Sequence, residues 1–499
     1  MNKLKSITGF LKKDNFLYPK ILALLCVLYF PIFLNLGGLY IMVWDESRVA
    51  DSSYEMLHGK NIFVVTFNNQ PDIWAVKPPL LNWIQAISIA IFGFNEMSVR
   101  LPSAFAGFFI CLLLVYFTKK KFNSYSLGAI ASLILLTAEG FIGDNHSIRS
   151  ADYDAMLTFF VFVGSICFLL YNENPKKIKL LFLTFLFFML AVLTKGPGAG
   201  MFFLPGLFIY CLIKKNLLLT LKNKWFYFSF LVLLFIVGSV YLLRDHYSPG
   251  YLEAFNTNEF LGRYDSKYDM HLGTFWFNLD YFVNSRFMYW CYLIPLGWLV
   301  GFFSKNKFAR TYSLFSFIIG ISYFIIISSI KNKGLQYDLP IYPLLALQVG
   351  IFVFEVLQHI VNLLLHKLWI NHNFIYYSLI AYIFFYSYSQ TVSNAFFRVY
   401  PISSIGYNHI QYYLKFEKEV IKNSKIITNG YFAQSLFYCY KLNAKGFNIH
   451  LETSLSEYKP NDKIIIDNPD LEQLIEQKYS FELLDEHWNL KVYKILNKR

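Results

Sequence analysis

WDESRVADSSYEMLHGKN, residues 44–61, follows a run of 24 uncharged residues, 21–44, that reads as a membrane span. Asp45 and Glu46 stand at the mouth of that run, and Arg48, Asp51 and Glu55 come directly after. Acidic side chains at the edge of a bilayer are costly to desolvate, so such a cluster marks a functional site unless it is only the solvated cap of a loop. The rest of the chain decides between these two readings.

Of 499 residues, 56% are hydrophobic and 20% aromatic, with 53 Phe and 37 Tyr, and only 15% are charged. Soluble domains carry about 25% charged residues, so the composition is that of a polytopic α-helical membrane protein with aromatic belts. The formal charge of +13 does not point to nucleic acid. Residues 407–499 carry 13 Lys and Arg against 12 Asp and Glu, so the excess lies in the apolar part of the chain. Cys26, Cys111, Cys167, Cys211 and Cys291 fall in apolar segments and Cys439 stands alone, with no metal or disulfide spacing.

Charge-poor stretches lie near 21–42, 101–118, 124–141, 155–171, 180–194, 197–213, 225–243, 287–304, 311–330, 339–362 and 374–395, about eleven transmembrane helices. With simple alternation, Lys3, Lys5, Lys12, Lys13 and Lys20 share one side with Lys119–Lys121, Lys176, Lys177, Lys179, Lys214, Lys215, Lys222, Lys224, Lys305, Lys307 and Arg310. The positive-inside bias makes that side cytoplasmic, in a bacterial inner membrane. Residues 43–100, 143–153, 244–286 and 331–337 then face the periplasm or exterior, as does everything after about 396. That outer side keeps Arg48, Lys77, Arg100, Arg149, Lys195, Arg263, Lys331 and Lys333 against the bias. Either they neutralise nearby carboxylates or they meet an anionic ligand such as a lipid phosphate.

Residues 1–395 read as the membrane domain. Within the outer loop 43–100, SRVADSSYEMLHGK (47–60) and PPLLNWIQAISIAIFGF (78–94) read as interfacial helices, the second with Asn82 and Gln85 on its polar side. Residues 396–499 read as a small α/β domain, with strands at KIITNG, FNIHLE, DKIIID, FELLDEH and LKVYKIL and helices at AQSLFYCYKL and DLEQLIEQKY. It carries no phosphate loop, nucleophile elbow or metal cluster.

The polar chemistry concentrates in WDESRVA (44–50), WAVKPPLLNW (74–83), RSADYDAMLTFF (149–160) and LTKGPGAG (193–200). Carboxylates at helix mouths suit proton removal from an acceptor hydroxyl, and nearby cations suit a departing phosphate. The set resembles the GT-C fold membrane glycosyltransferases of the aminoarabinose transferase and protein O-mannosyltransferase-like group. The resemblance rests on Asp45-Glu46-Ser47-Arg48, Lys77-Pro78-Pro79 with Trp83, Arg100-Leu101-Pro102, Arg149 with Asp154-Ala155, and Leu193-Thr194-Lys195-Gly196-Pro197. NEFLGRY (258–264) and KGLQYDLPIYP (333–343) continue it.

It implies a polyprenyl-phosphate-linked sugar as donor and a lipid or glycan acceptor. Asp45 is then the best catalytic carboxylate, with Glu46 and Asp154 beside it. Lys77, Arg263 and Tyr337 contact the donor phosphate, with Lys333 and Arg48 as further cations. For Asp154 the alternative is a helix cap, for Lys195-Gly196-Pro197 a turn, and for Arg100-Leu101-Pro102 a helix-start device. Some relatives carry a metal pair, Glu before the Lys of the KPP segment and His in the E-x-x-x-R-F loop. Val76 and Phe260 stand at those positions here, and only Glu259 and His271 remain in that loop. A divalent ion is therefore not favoured, and transfer without a cofactor is expected. Protein O-mannosylation is the alternative within enzymes. A transporter or flippase is the alternative outside them, although charges crowd the outer loops and no internal repeat is visible.

Overall fold

A computed structural model describes residues 17–59, 61–143, 146–261, 273–365, 372–397 and 409–499. Arg263 and His271 lie outside the described residues. The chain is mostly helical: α1 Leu17–Phe33, α2 Asp45–His58, α3 Leu80–Phe92, α4 Glu96–Phe122, α5 Tyr125–Leu136, α6 Tyr153–Glu173 and α7 Ile178–Lys195 come first. After them follow α8 Lys224–Tyr247, α9 Lys307–Ser329, α10 Tyr342–Leu365 and α11 His372–Phe396.

Among the described residues six helices are long and apolar enough to cross a membrane, namely α4, α6, α7, α8, α9 and Leu335–Leu364. A seventh span is the pair Phe277–Arg286 and Met288–Phe303, bent by 110°, if it is counted as one. The chain is thus a multi-pass membrane protein. This falls short of the eleven expected spans because Pro19–Phe33, Tyr125–Leu136 and Pro197–Ile213, at three of the expected positions, are shorter apolar helices, and α11, at a fourth, is not among the six.

Local chemistry explains several boundaries. Asn95 and Ser98 form a reciprocal capping box at the start of α4, and Lys119–Lys121 complement the helix dipole at its end. The first helix stops at Phe33 instead of running to 42. Arg149 satisfies two of its free terminal carbonyls, Pro31 and Ile32, and donates as well to Leu34 and Asn35 just beyond the end. Gly37 then lets the chain pass Met97, where a Cβ would lie 3.2 Å from the Met97 Cβ.

The tail forms a five-stranded sheet of β3 Ser424–Ile427, β4 His450–Glu452, β5 Lys463–Ile466, β6 Tyr479–His487 and β7 Leu490–Lys498; β1 Thr66–Phe67 and β2 Gln70–Pro71 pair in the first loop. Its order is β4-β3-β5-β7-β6, with β4, β3 and β5 parallel and β7 and β6 antiparallel. Helix α12, Ala433–Asn443, links β3 to β4, and α13, Pro469–Lys478, follows β5. The tail does not stand apart. Phe437, Tyr438 and Leu442 of α12 share one apolar cluster with Tyr40, Ile41, Ala50, Phe94 and Val99. Beside it, Glu96 is held by Lys415 at 3.1 Å, Lys441 at 3.0 Å and the Tyr438 hydroxyl at 2.9 Å.

Candidate active site

Asp45 does not end the first helix, as the sequence reading had it. It opens α2 after the turning segment 34–44. Its predecessor Trp44 holds φ 71° and ψ −119°, the first central position of a type II′ turn, which favours glycine. Such strain in a bulky residue costs about 1–3 kcal/mol and persists only where the surroundings enforce it. Buried polar side chains seat α2: Asn82 donates to Ser53 at 3.1 Å, Ser53 to Gln85 at 2.7 Å, and Gln85 to the carbonyls of Val99 and Ala151. Asn82 and Gln85 thus face the protein interior and not water, a correction to the interfacial reading of α3.

Glu46 turns away from Asp45 into a bidentate pair with Arg100, at 2.8 and 2.9 Å, and accepts from the amides of Met42 and Ala151. Arg100 also donates to the carbonyls of Leu36, Leu39 and Tyr40. Together these two residues brace the segment that carries Asp45, so Arg100 is neither a helix-start device nor a free cation. Arg48 pairs with Asp72 at 2.7 Å and covers the Phe67 ring. Lys333 donates to the Ser328 carbonyl at 2.6 Å, at the end of α9.

The second wall is the loop before α3. Arg244, 1% exposed, donates to the carbonyls of Lys77, Ala75 and Asp72. Tyr251 donates to Val76 O at 2.7 Å. So fixed, the Lys77 ammonium lies 4.8 Å over the Tyr153 ring. Burial opposes its charge, but the carboxylates of Asp45, Asp152 and Glu259 outweigh that and hold its pKa above the usual lysine value.

The third wall is the start of α6. Asp152 caps the helix by accepting from Tyr153 N and bonds His146 Nδ1. Asp154, 1% exposed, pairs through Oδ1 with Lys195, whose ammonium lies 5.7 Å over the Tyr337 ring. Its Oδ2 has no hydrogen bond among the described residues and lies 3.7 Å from His146 Nδ1. Gly196, at φ 93°, ends α7 and lets Pro197 begin the next helix, so Lys195-Gly196-Pro197 is a turn that also delivers a cation to Asp154.

Asp45, His146 and Asp152 each bring a ligand atom within 4.8 Å of the others, a set that could hold a metal ion. Sequence reasoning looked for metal donors around 76 and 260 and missed His146, Asp152 and Arg244. The D-Y-D spacing of 152–154 was the available signal; nothing local singles out His146 or Arg244. On burial, His146 would lose its charge, yet Asp152 and then Asp154 raise its pKa above the ordinary imidazole value.

Residues 76–243 match the family model described as dolichyl-phosphate-mannose-protein mannosyltransferase. An uncharacterised Aquifex aeolicus protein is 29% identical over 70% of this chain and 67% of its own length. The undecaprenyl phosphate-alpha-4-amino-4-deoxy-L-arabinose arabinosyl transferase of Shewanella sediminis is 28% identical over 59% of this chain. The chain spans only 53% of that relative's length. The crystal structure of ArnT from Cupriavidus metallidurans bound to undecaprenyl phosphate superposes with TM-score 0.70 at 16% identity, covering 96% of this chain and 98% of that one. At 16% identity that likeness is one of fold: the chain has the architecture of this ArnT structure, with its own carboxylates and lysines gathered at helix ends.

Proposed function

We propose that this protein transfers a sugar from a polyprenyl-phosphate donor to a glycolipid or glycan acceptor. The reading places residues 1–395 in a bacterial inner membrane, and the site and residues 396–499 on its periplasmic side. The observation that carries it is the Lys77 ammonium held over the Tyr153 ring beside the carboxylates of Asp45 and Asp152, on a loop whose carbonyls Arg244 and Tyr251 fix. Asp45 takes the acceptor's hydroxyl proton, the freed oxygen attacks the anomeric carbon, and the sugar–phosphate bond breaks. Lys77, Arg263 and Tyr337 hold the departing phosphate, whose growing charge they stabilise more than that of the bound donor. Asp154, paired with Lys195, fixes the far wall. Glu46, Arg48 and Lys333 support the frame through the contacts described above.

Transfer proceeds without a divalent ion in this reading. Lys77 and Lys195 already supply positive charge among Asp45, Asp152 and Asp154. Protein O-mannosylation is the second reading, favoured by the family model over 76–243. A transporter is disfavoured, because the ion pairs gather at helix ends and not at mid-depth.

The test uses the purified full chain with undecaprenyl phosphate-linked aminoarabinose and polyprenyl-phosphate mannose, each offered with envelope lipid or envelope protein. Release of the free lipid phosphate is the readout. Asp45→Asn keeps the shape but removes the base, and is expected to lower turnover by about a hundredfold. Near wild-type turnover in a folded Asn variant would overturn the assignment.

A further inference from the structure

The loop between β3 and α12 reaches the residue next to Asp45. Tyr431 lies on that loop, directly after Gly430 at φ 92°. Its ring stacks on Trp44, centroids 4.3 Å apart and planes inclined by 27°. Its hydroxyl donates to the Trp44 carbonyl at 2.9 Å. The same carbonyl accepts the first helical bond of α2, from Arg48 N at 3.1 Å, and a bond from Ser47 Oγ at 3.2 Å. A second contact flanks the clamp, where Phe432 stacks on Phe67 at 5.2 Å.

We infer that Tyr431 is a positioning residue: the tail domain aims the Asp45 carboxylate by clamping Trp44 in its strained backbone conformation. The inference rests on the reading of Asp45 as the working carboxylate. A tryptophan does not hold φ 71° and ψ −119° unaided. Left alone, it relaxes to a negative φ and swings the peptide that enters α2, and the first side chain to move is Asp45. Trp44 is 63% exposed and Tyr431 stacks on its ring, so the clamp acts on Trp44 itself and adds to the brace that Arg100 and Glu46 place on the residues to either side. The clamp couples two parts of the chain nearly 390 residues apart and gives the tail a part in the chemistry without supplying a reacting group.

Glycine adopts the Trp44 conformation without steric cost, which makes the inference testable by a double-mutant cycle. The full chain is assayed with the lipid-phosphate sugar that it turns over, in the wild type, Tyr431→Phe, Tyr431→Ala, Trp44→Gly and Trp44→Gly/Tyr431→Ala. Tyr431→Ala is expected to lower kcat about tenfold with donor KM within about twofold. Tyr431→Phe, which keeps the stack and loses the hydroxyl's bonds to the Trp44 carbonyl and to the Ser47 and Arg48 side chains, is expected to lose less. In the Trp44→Gly background, removing Tyr431 is expected to cost less than about twofold. Full activity of Tyr431→Ala, an equal loss in both backgrounds, or a raised acceptor KM at unchanged kcat would each overturn the inference. If Tyr431→Ala does not fold, Tyr431→Phe in the two backgrounds gives the same comparison. Asp45→Asn is run alongside: if it stays active the catalytic reading itself fails, whereas an inactive Asp45→Asn with fully active Tyr431 variants overturns the clamp alone.

Discussion

His146 sits among three carboxylates, Asp45, Asp152 and Asp154, and two of them act on its charge state. Burial disfavours the imidazolium, but Asp152 outweighs burial, with Asp154 adding to the effect and Lys195 opposing it. The folded pKa therefore lies above the unfolded value of 6.5. Stability from this pair is fully present below pH 6.5 and is lost as pH rises through the higher folded value. Thermal unfolding of the wild type in detergent is expected to show that alkaline loss, and His146→Gln to lack it; identical pH profiles would remove His146 from the account. The same proton bears on metal. A divalent ion bound by Asp45, His146 and Asp152 would have to displace it, against the nearby ammonium groups of Lys77 and Lys195. Turnover in excess EDTA is expected to equal that in buffer. Loss of turnover restored by adding a divalent cation would show instead that these three side chains hold a working ion.

At the scale of the elements, the sequence was legible where a pattern is local. Helices α4, α6, α7, α8 and α9 fall on the expected charge-poor stretches because apolar length is a property of the segment itself. The tail strands and helices fall where their own β-branched runs and amphipathic stretches put them. What escaped reading depends on a distant partner. Helix α1 stops at Phe33 because Arg149, more than a hundred residues later, takes two of its terminal carbonyls. Asn82 and Gln85 looked like a wet face, yet Ser53 and two distant carbonyls make them buried cross-links. Arg100 and Arg48 stood out as cations against the positive-inside bias, but only the folded chain shows that Glu46 and Asp72 occupy them. Asp45, Lys77 and Asp154 were legible because carboxylates and lysines at helix mouths are anomalous in any membrane segment. His146 was not, since a lone histidine in a polar loop carries no signal without Asp152 folded against it.

For the whole molecule, the question is whether the tail is an appendage. The apolar spans carry their own insertion energy, since among the described residues six of them meet the length and hydropathy that crossing requires, and none of these six lies beyond residue 365. Truncation after residue 396 is therefore expected to leave a protein that resists alkaline extraction from membranes. The cut removes more than an independent domain, however. It strips Phe437, Tyr438 and Leu442 from a cluster that also holds Tyr40, Ile41 and Val99, and exposes those partners to water. It deprives Glu96 of Lys415, Lys441 and Tyr438, although an acid at a helix start stays favourable to the α4 dipole. The first residues to feel both losses are 36–46, where Arg100 and Glu46 hold the approach to Asp45. The truncated chain is expected to melt several degrees lower in detergent and to lose transfer by at least tenfold, while binding of undecaprenyl phosphate, which the proposed function assigns to Lys77 on the loop held by Arg244, is expected to fall much less. Binding measured by fluorescence quenching and turnover measured by lipid-phosphate release separate the two effects. A truncated protein that transfers as fast as the full chain would show that the shared core is packing alone, with no bearing on how Asp45 is presented.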